Sequence, residues 1–135
     1  MEEFGELLGN LIIFLFILEA FRFLLKRVFV YYGKWIKTNT KFHPLLLKSM
    51  KMNQLFHPWL GYLILVTIIV HAYIQTSGFA FLSNTGLIAA AFMGAEVLVG
   101  FVGTYLMKKP RPSYWIWIHR LIPVLTLIAI LIHKD

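Results

Sequence analysis

The chain has 135 residues, of which 59% are hydrophobic, 16% aromatic and 14% charged. A water-soluble domain carries about 45–50% apolar and about 25% charged residues, so this composition excludes a soluble globule, and its apolar content excludes disorder. The length suits one domain. No cysteine is present, which removes disulfides, thiolate metal sites, iron–sulfur clusters and covalent c-type haem. The net charge of +7 matters through where it falls along the chain.

A membrane helix needs about 20 mostly apolar residues, and four stretches qualify. The first covers residues 7–32. Its leading segment is acidic (Glu2, Glu3, Glu6), it is too long, and no small-residue cleavage site follows it, so it reads as a span and not as a cleaved leader. Next comes a basic connection with Lys26, Arg27, Lys34, Lys37, Lys41, Lys48 and Lys51. Within it, the segment from Pro44 to Met52 reads as a short interfacial helix with lysines toward lipid headgroups. The second span covers residues 55–74, with Pro58 placed where its helix should begin. Residues 75–85 connect it onward without a charge. The third span, residues 86–107, carries Gly94, Gly100 and Gly103. Lys108, Lys109 and Arg111 follow, with Pro110 and Pro112 leading to Ser113, a predicted N-cap. The fourth span covers residues 114–132, and Pro123 inside it predicts a kink.

Ten of the 13 basic residues therefore lie in the first and third connections. Basic loops stay in the cytoplasm, which places both termini and the uncharged connection outside. Trp35, Trp59, Trp115 and Trp117 all fall near the inner boundary, as an aromatic belt would. The expected fold is an all-α membrane protein, a single four-transmembrane-helix bundle in the plasma (inner) membrane. The basic charge is accounted for by topology, and no nucleic-acid partner is expected.

The histidines carry the chemistry. Fourteen residues separate His57 from His71 in the second span, and fourteen separate His119 from His133 in the fourth. Ionisable groups within a bilayer are costly and mark function by default. Fourteen residues is two heptads, so both histidines of a helix face one seam, about 21 Å apart along the axis. Spans two and four run in the same direction. His57 and His119 then share the inner level, and His71 and His133 the outer. Two facing imidazoles at each of two levels are what two six-coordinate haem irons require. Zinc would need its ligands converging within about 2 Å of one ion, which this spacing forbids. His43 echoes the pattern at another fourteen-residue interval from His57, but it lies in the basic connection without a partner at its level and reads as a loop or helix-start residue.

Several residues support that reading. Gly61 lies one turn beyond His57 and admits a flat macrocycle. Arg120, next to His119, suits haem propionates at the inner level, or is one more topogenic charge. Tyr62, Tyr73, Phe92 and Trp117 are candidates for packing on the macrocycles or for ordinary core. Glu19 and Glu96 sit near the centres of spans one and three. A buried carboxylate must be paired or protonated, and Arg22, one turn from Glu19, is the expected bridge to one or both. A proton-uptake role for Glu96 stays open beside a structural one.

The run His57-Pro58-Trp59-Leu60-Gly61 with His71, together with His119-Arg120 and His133, resembles the membrane core of ferric-reductase-like and related small bacterial b-type di-haem cytochromes. The resemblance spans residues 55–133. It implies two stacked b haems, each held by one histidine from each of two helices, passing electrons across the bilayer. Reductases of that kind often have six spans and a flavin/nicotinamide domain. Here there are four spans and no glycine-rich dinucleotide loop, so such a domain is expected on a partner. The leading expectation is transmembrane electron transfer from a cytoplasmic flavoprotein, ferredoxin or quinol to an outer acceptor, with the basic inner face steering an acidic donor. A quinone-reactive haem anchor of a larger oxidoreductase, and a haem-free transporter or proton relay, remain alternatives. Homo-oligomerisation is left open.

Overall fold

The structure is a computed structural model that describes residues 2–79 and 83–134. Its elements are α1 (Glu2–Asn39), α2 (His43–Gln75), α3 (Asn84–Phe101), a π-helical turn (Val102–Leu106) and α4 (Ser113–Lys134). Each of Glu3–Asn39, His43–Gln75, Asn84–Leu106 and Ser113–His133 is long and apolar enough to cross a membrane.

The helices overrun the apolar stretches that announced them. With 38 residues, α1 is about 57 Å long, against a hydrocarbon thickness of about 30 Å. The excess lies at its basic end. There the chain turns back over three residues, and local side chains close the helix. Thr38 Oγ1 donates to Lys34 O, Asn39 Nδ2 to Trp35 O at 3.0 Å, and Thr40 Oγ1 to Ile36 O at 2.8 Å. These side chains add a second donor to carbonyls of the last turns, and Ile36 O also accepts from Thr40 N at 3.0 Å. The Phe42 carbonyl then accepts from Leu46 N at 2.9 Å and opens α2.

Two expectations are corrected here. The segment from Pro44 to Met52 is helical, but it is the first part of the 33-residue α2, with no break before the apolar span, and not a separate interfacial helix. Pro58 consequently lies inside α2 and does not start it. The proline tolerated at the first turn is Pro44, directly after His43. Ser113 is already the first residue of α4, and the Pro112 carbonyl accepts from Ile116 N. Pro123 is inside α4, which runs through it.

The chain divides into two compact units. Residues 10–64 form one. Its buried side chains include Ile12, Leu15, Phe16 and Ile64, the last only 1% exposed. A cavity of about 390 Å³ in this unit is lined by Arg22, Lys26, Lys51, Asn53 and Gln54, among others.

Residues 1–9 and 65–135 form the second unit, in which α3 packs along α4. Ser83 caps α3, its hydroxyl accepting from Gly86 N at 3.1 Å. Gly103 lies under the Trp115 indole, which occupies the place a Cβ would take. The indole N–H donates to Val99 O at 3.1 Å, and the Arg111 guanidinium covers the ring at 5.0 Å. The π-helical turn sits beside this contact, with Met107 N reaching back to Val102 O. Thr67, Met93, Trp115, Thr126 and Ala129 are among the buried side chains of this unit. In both units most large apolar side chains face outward, the arrangement expected of helices solvated by lipid. Residues 80–82 of the uncharged connection lie outside the described residues.

Candidate functional site

All four spaced histidines lie on α2 and α4, and each has its Nδ1 engaged by a group from another helix. His57 Nδ1 meets the Glu19 carboxylate of α1. His119 Nδ1 lies 2.8 Å from Glu96 Oε1 of α3. His71 Nδ1 lies 2.9 Å from the carbonyl of Gly5, in the first turns of α1. His133 Nδ1 lies 3.1 Å from Thr85 Oγ1, at the start of α3.

These partners govern the imidazoles. Carbonyl and carboxylate oxygens accept, so the protons of His57 and His71 belong on Nδ1, and the basic lone pair belongs on Nε2; Glu96 approaches His119 Nδ1 at ion-pair distance, outside hydrogen-bond geometry. At His133 the hydroxyl serves in either role. Glu19 and Glu96 are 14% and 15% exposed, and the histidines they face 28% and 22%. The second oxygen of each carboxylate is buried without a hydrogen-bond partner among the described residues, so the imidazole contact carries much of the compensation for taking the carboxylate out of water. Each of these carboxylates meets a histidine, and Arg22, one turn from Glu19, lines the basic cavity.

Glycines flank the imidazoles. A Cβ on Gly9 would sit 3.4 Å from His71 Cε1, on Gly86 3.1 Å from His133 Cε1, and on Gly100 3.8 Å from His119 Cε1. Trp115 stacks on His119, the ring centroids 4.9 Å apart and the planes at 21°. Gly94 faces open space. Gly61 is half-buried in α2 one turn beyond His57, and Arg120 is exposed. His43 is the first residue of α2, its ring 6.5 Å from that of Phe29.

A signal for these partners was present in the sequence and was missed. Ten residues separate Gly9 from Glu19, and ten separate Gly86 from Glu96. In each case the glycine meets the histidine near the C-terminal end of the following helix, and the glutamate meets the histidine fourteen residues earlier. The hairpins α1–α2 and α3–α4 thus carry one pattern twice. Gly5 and Thr85 had no such signal, since one contributes a backbone carbonyl and the other a common hydroxyl.

Among the described residues no three His, Asp or Glu side chains gather into a group that would hold a metal ion by protein ligands alone. A haem brings four nitrogen donors of its own and asks the protein only for axial ligands. Imidazoles whose Nδ1 is held and whose Nε2 carries the lone pair are the donor set that suits it. Comparison of the chain with protein families, with curated proteins and with solved structures gives no match.

Proposed function

We propose that the chain is a transmembrane electron-transfer cytochrome that binds two b haems, one between His57 and His119 at the inner level and one between His71 and His133 at the outer. One observation carries the reading. The four histidines predicted as ligands from two fourteen-residue intervals each have Nδ1 engaged from a neighbouring helix. Such a contact fixes ring orientation and raises ligand basicity at a metal-binding histidine. The inner and outer pairing follows from the co-directional course of spans two and four. When bound, haem supplies reversible one-electron chemistry.

The chain's own residues do the rest. Glu19, Glu96, the Gly5 carbonyl and Thr85 hold the imidazole rings in place. Gly9 and Gly86 leave room beside the outer imidazoles. Outward-facing Leu, Ile and Phe side chains keep the surroundings apolar. The lysines of the first and third connections attract an acidic donor from the cytoplasm.

Purified chain expressed with ample haem is expected to show a b-type Soret and α-band and two haems per chain by pyridine haemochrome. His71→Ala and His57→Ala are each expected to leave one. A colourless protein would overturn the reading. It would favour the second one, a haem-free proton relay, for which the two His–Glu contacts supply the elements.

A further inference from the structure

The four imidazoles are not held alike. His57 and His119 face carboxylates, whereas His71 faces a peptide carbonyl and His133 a hydroxyl. The difference sorts by position on the helices. On both α2 and α4 the histidine nearer the N-terminal end has the acidic partner, and the one fourteen residues on has the neutral partner. Chance placement of two glutamates would not require this. Glu19 and Glu96 are two of only six acidic residues in the chain, both are largely buried, and each meets a histidine of the same level.

We infer that Glu19 and Glu96 are positioning residues that make the inner site the lower in reduction potential. The inference rests on the bis-histidine reading above. An Nδ1–H that donates to a carboxylate leaves the ring with imidazolate character, which strengthens Nε2 as a donor. A stronger donor and a nearby negative charge both favour ferric over ferrous iron. A carbonyl or hydroxyl acceptor brings no charge and polarises the ring less. His57 has both the hydrogen bond and the charge, His119 has the charge of Glu96 at 2.8 Å, and neither outer ligand faces a carboxylate, so the contributions at the inner site add.

Positive charge works against them. Arg120 follows His119, Arg111 covers Trp115, and Arg22 lies one turn from Glu19. The Trp115 ring, stacked on His119, intervenes before Arg111. The carboxylates act through direct contact with the ring, at 2.8 Å for Glu96 and His119, and so prevail.

The test is an optical redox titration of the full chain in detergent or nanodiscs, with haem content measured on the same samples. Two potentials are expected. Glu19→Gln and Glu96→Gln should each raise the lower one, the double variant should raise it further, and the upper one should stay in place with two haems retained. Thr85→Val should leave the lower one unmoved. A lower potential that ignores both glutamine variants at full haem content would overturn the inference, as would shifts divided between the two potentials. Should a glutamine variant shed haem, the ordering is read from single-site proteins. His71→Ala isolates the inner site and should titrate at the lower wild-type value, and finding it at the upper value would overturn the inference. A wild-type chain without haem overturns the bis-histidine reading itself, a result distinct from all of these.

Discussion

At His119 two side chains and a glycine meet a single imidazole from different directions: Glu96 at Nδ1, Trp115 across the ring face, and the Gly100 backbone near Cε1. The ring is placed by contacts whose own anchors are fixed, since Trp115 is tied to Val99 O and packs into the space that Gly103 leaves. A methyl at Gly103 overlaps that indole, which is held between two helices and cannot swing away as a chain end would. Gly103→Ala is therefore expected to destabilise the protein by about 1–3 kcal/mol, read as a lower midpoint in thermal melts in detergent. Gly86→Ala acts at the other end of α4. Its methyl would lie 3.1 Å from His133 Cε1 and 2.8 Å from the Ser83 hydroxyl that caps α3. On the bis-histidine reading proposed above, that variant is expected to fall from two haems toward one while the site of His57 and His119 stays filled; equal loss at both levels would contradict it. The histidines themselves were legible because fourteen-residue spacing is a property of side-chain identity. The groups that hold them were legible only where they too are side chains at a regular interval, as Glu19 and Glu96 are. A carbonyl such as that of Gly5 belongs to every residue and leaves no mark in the sequence.

Helix existence and helix extent came from different physics, and only the first was legible. Hydropathy reports which residues prefer lipid, so it located all four spans, but it does not report where a helix stops. Beyond the apolar stretch α1 continues through Lys34 and Lys37, and α2 begins among Leu, Lys and Met residues. These are good helix formers with no glycine or proline between Leu45 and His57 to break the run. Pro58 did not break it either. Its ring removes one donor, leaving the Gln54 carbonyl without its α-helical partner, a loss tolerated within membrane helices. Pro123 has the same effect on the carbonyl of His119, the residue four positions earlier. Pro123→Ala would supply an N–H to that carbonyl and is expected to raise the stability of α4, by up to about 3 kcal/mol. Thermal melting followed by circular dichroism measures it, and an unchanged or lower midpoint would mean that the freed carbonyl already has an equivalent partner.

The charge distribution makes a statement about the whole molecule that the helices alone do not. Four spans, an even number, would put the two termini on one side, and the connections alternate between basic and uncharged. Lys26, Arg27, Lys34, Lys37, Lys41, Lys48 and Lys51 lie around the α1–α2 turn and Lys108, Lys109 and Arg111 before α4, while Gln75 to Thr85 carries no charge. Moving Lys or Arg across a bilayer during insertion is costly, and this asymmetry sets orientation. We expect the α1–α2 turn inside and the α2–α3 connection outside. The chain contains no cysteine, so a single introduced thiol reports its own side without background. Lys41 and Ser77 are both exposed. Lys41→Cys removes one basic residue of seven in its connection and leaves the bias in place, and Ser77→Cys exchanges a hydroxyl for a thiol. In intact cells a membrane-impermeant maleimide should label Ser77→Cys, and it should reach Lys41→Cys only after permeabilisation. The opposite pattern would reverse the assignment of His57 and His119 to the inner level. It would leave their carboxylate partners unchanged, and the site inferred above to have the lower potential would then face outward.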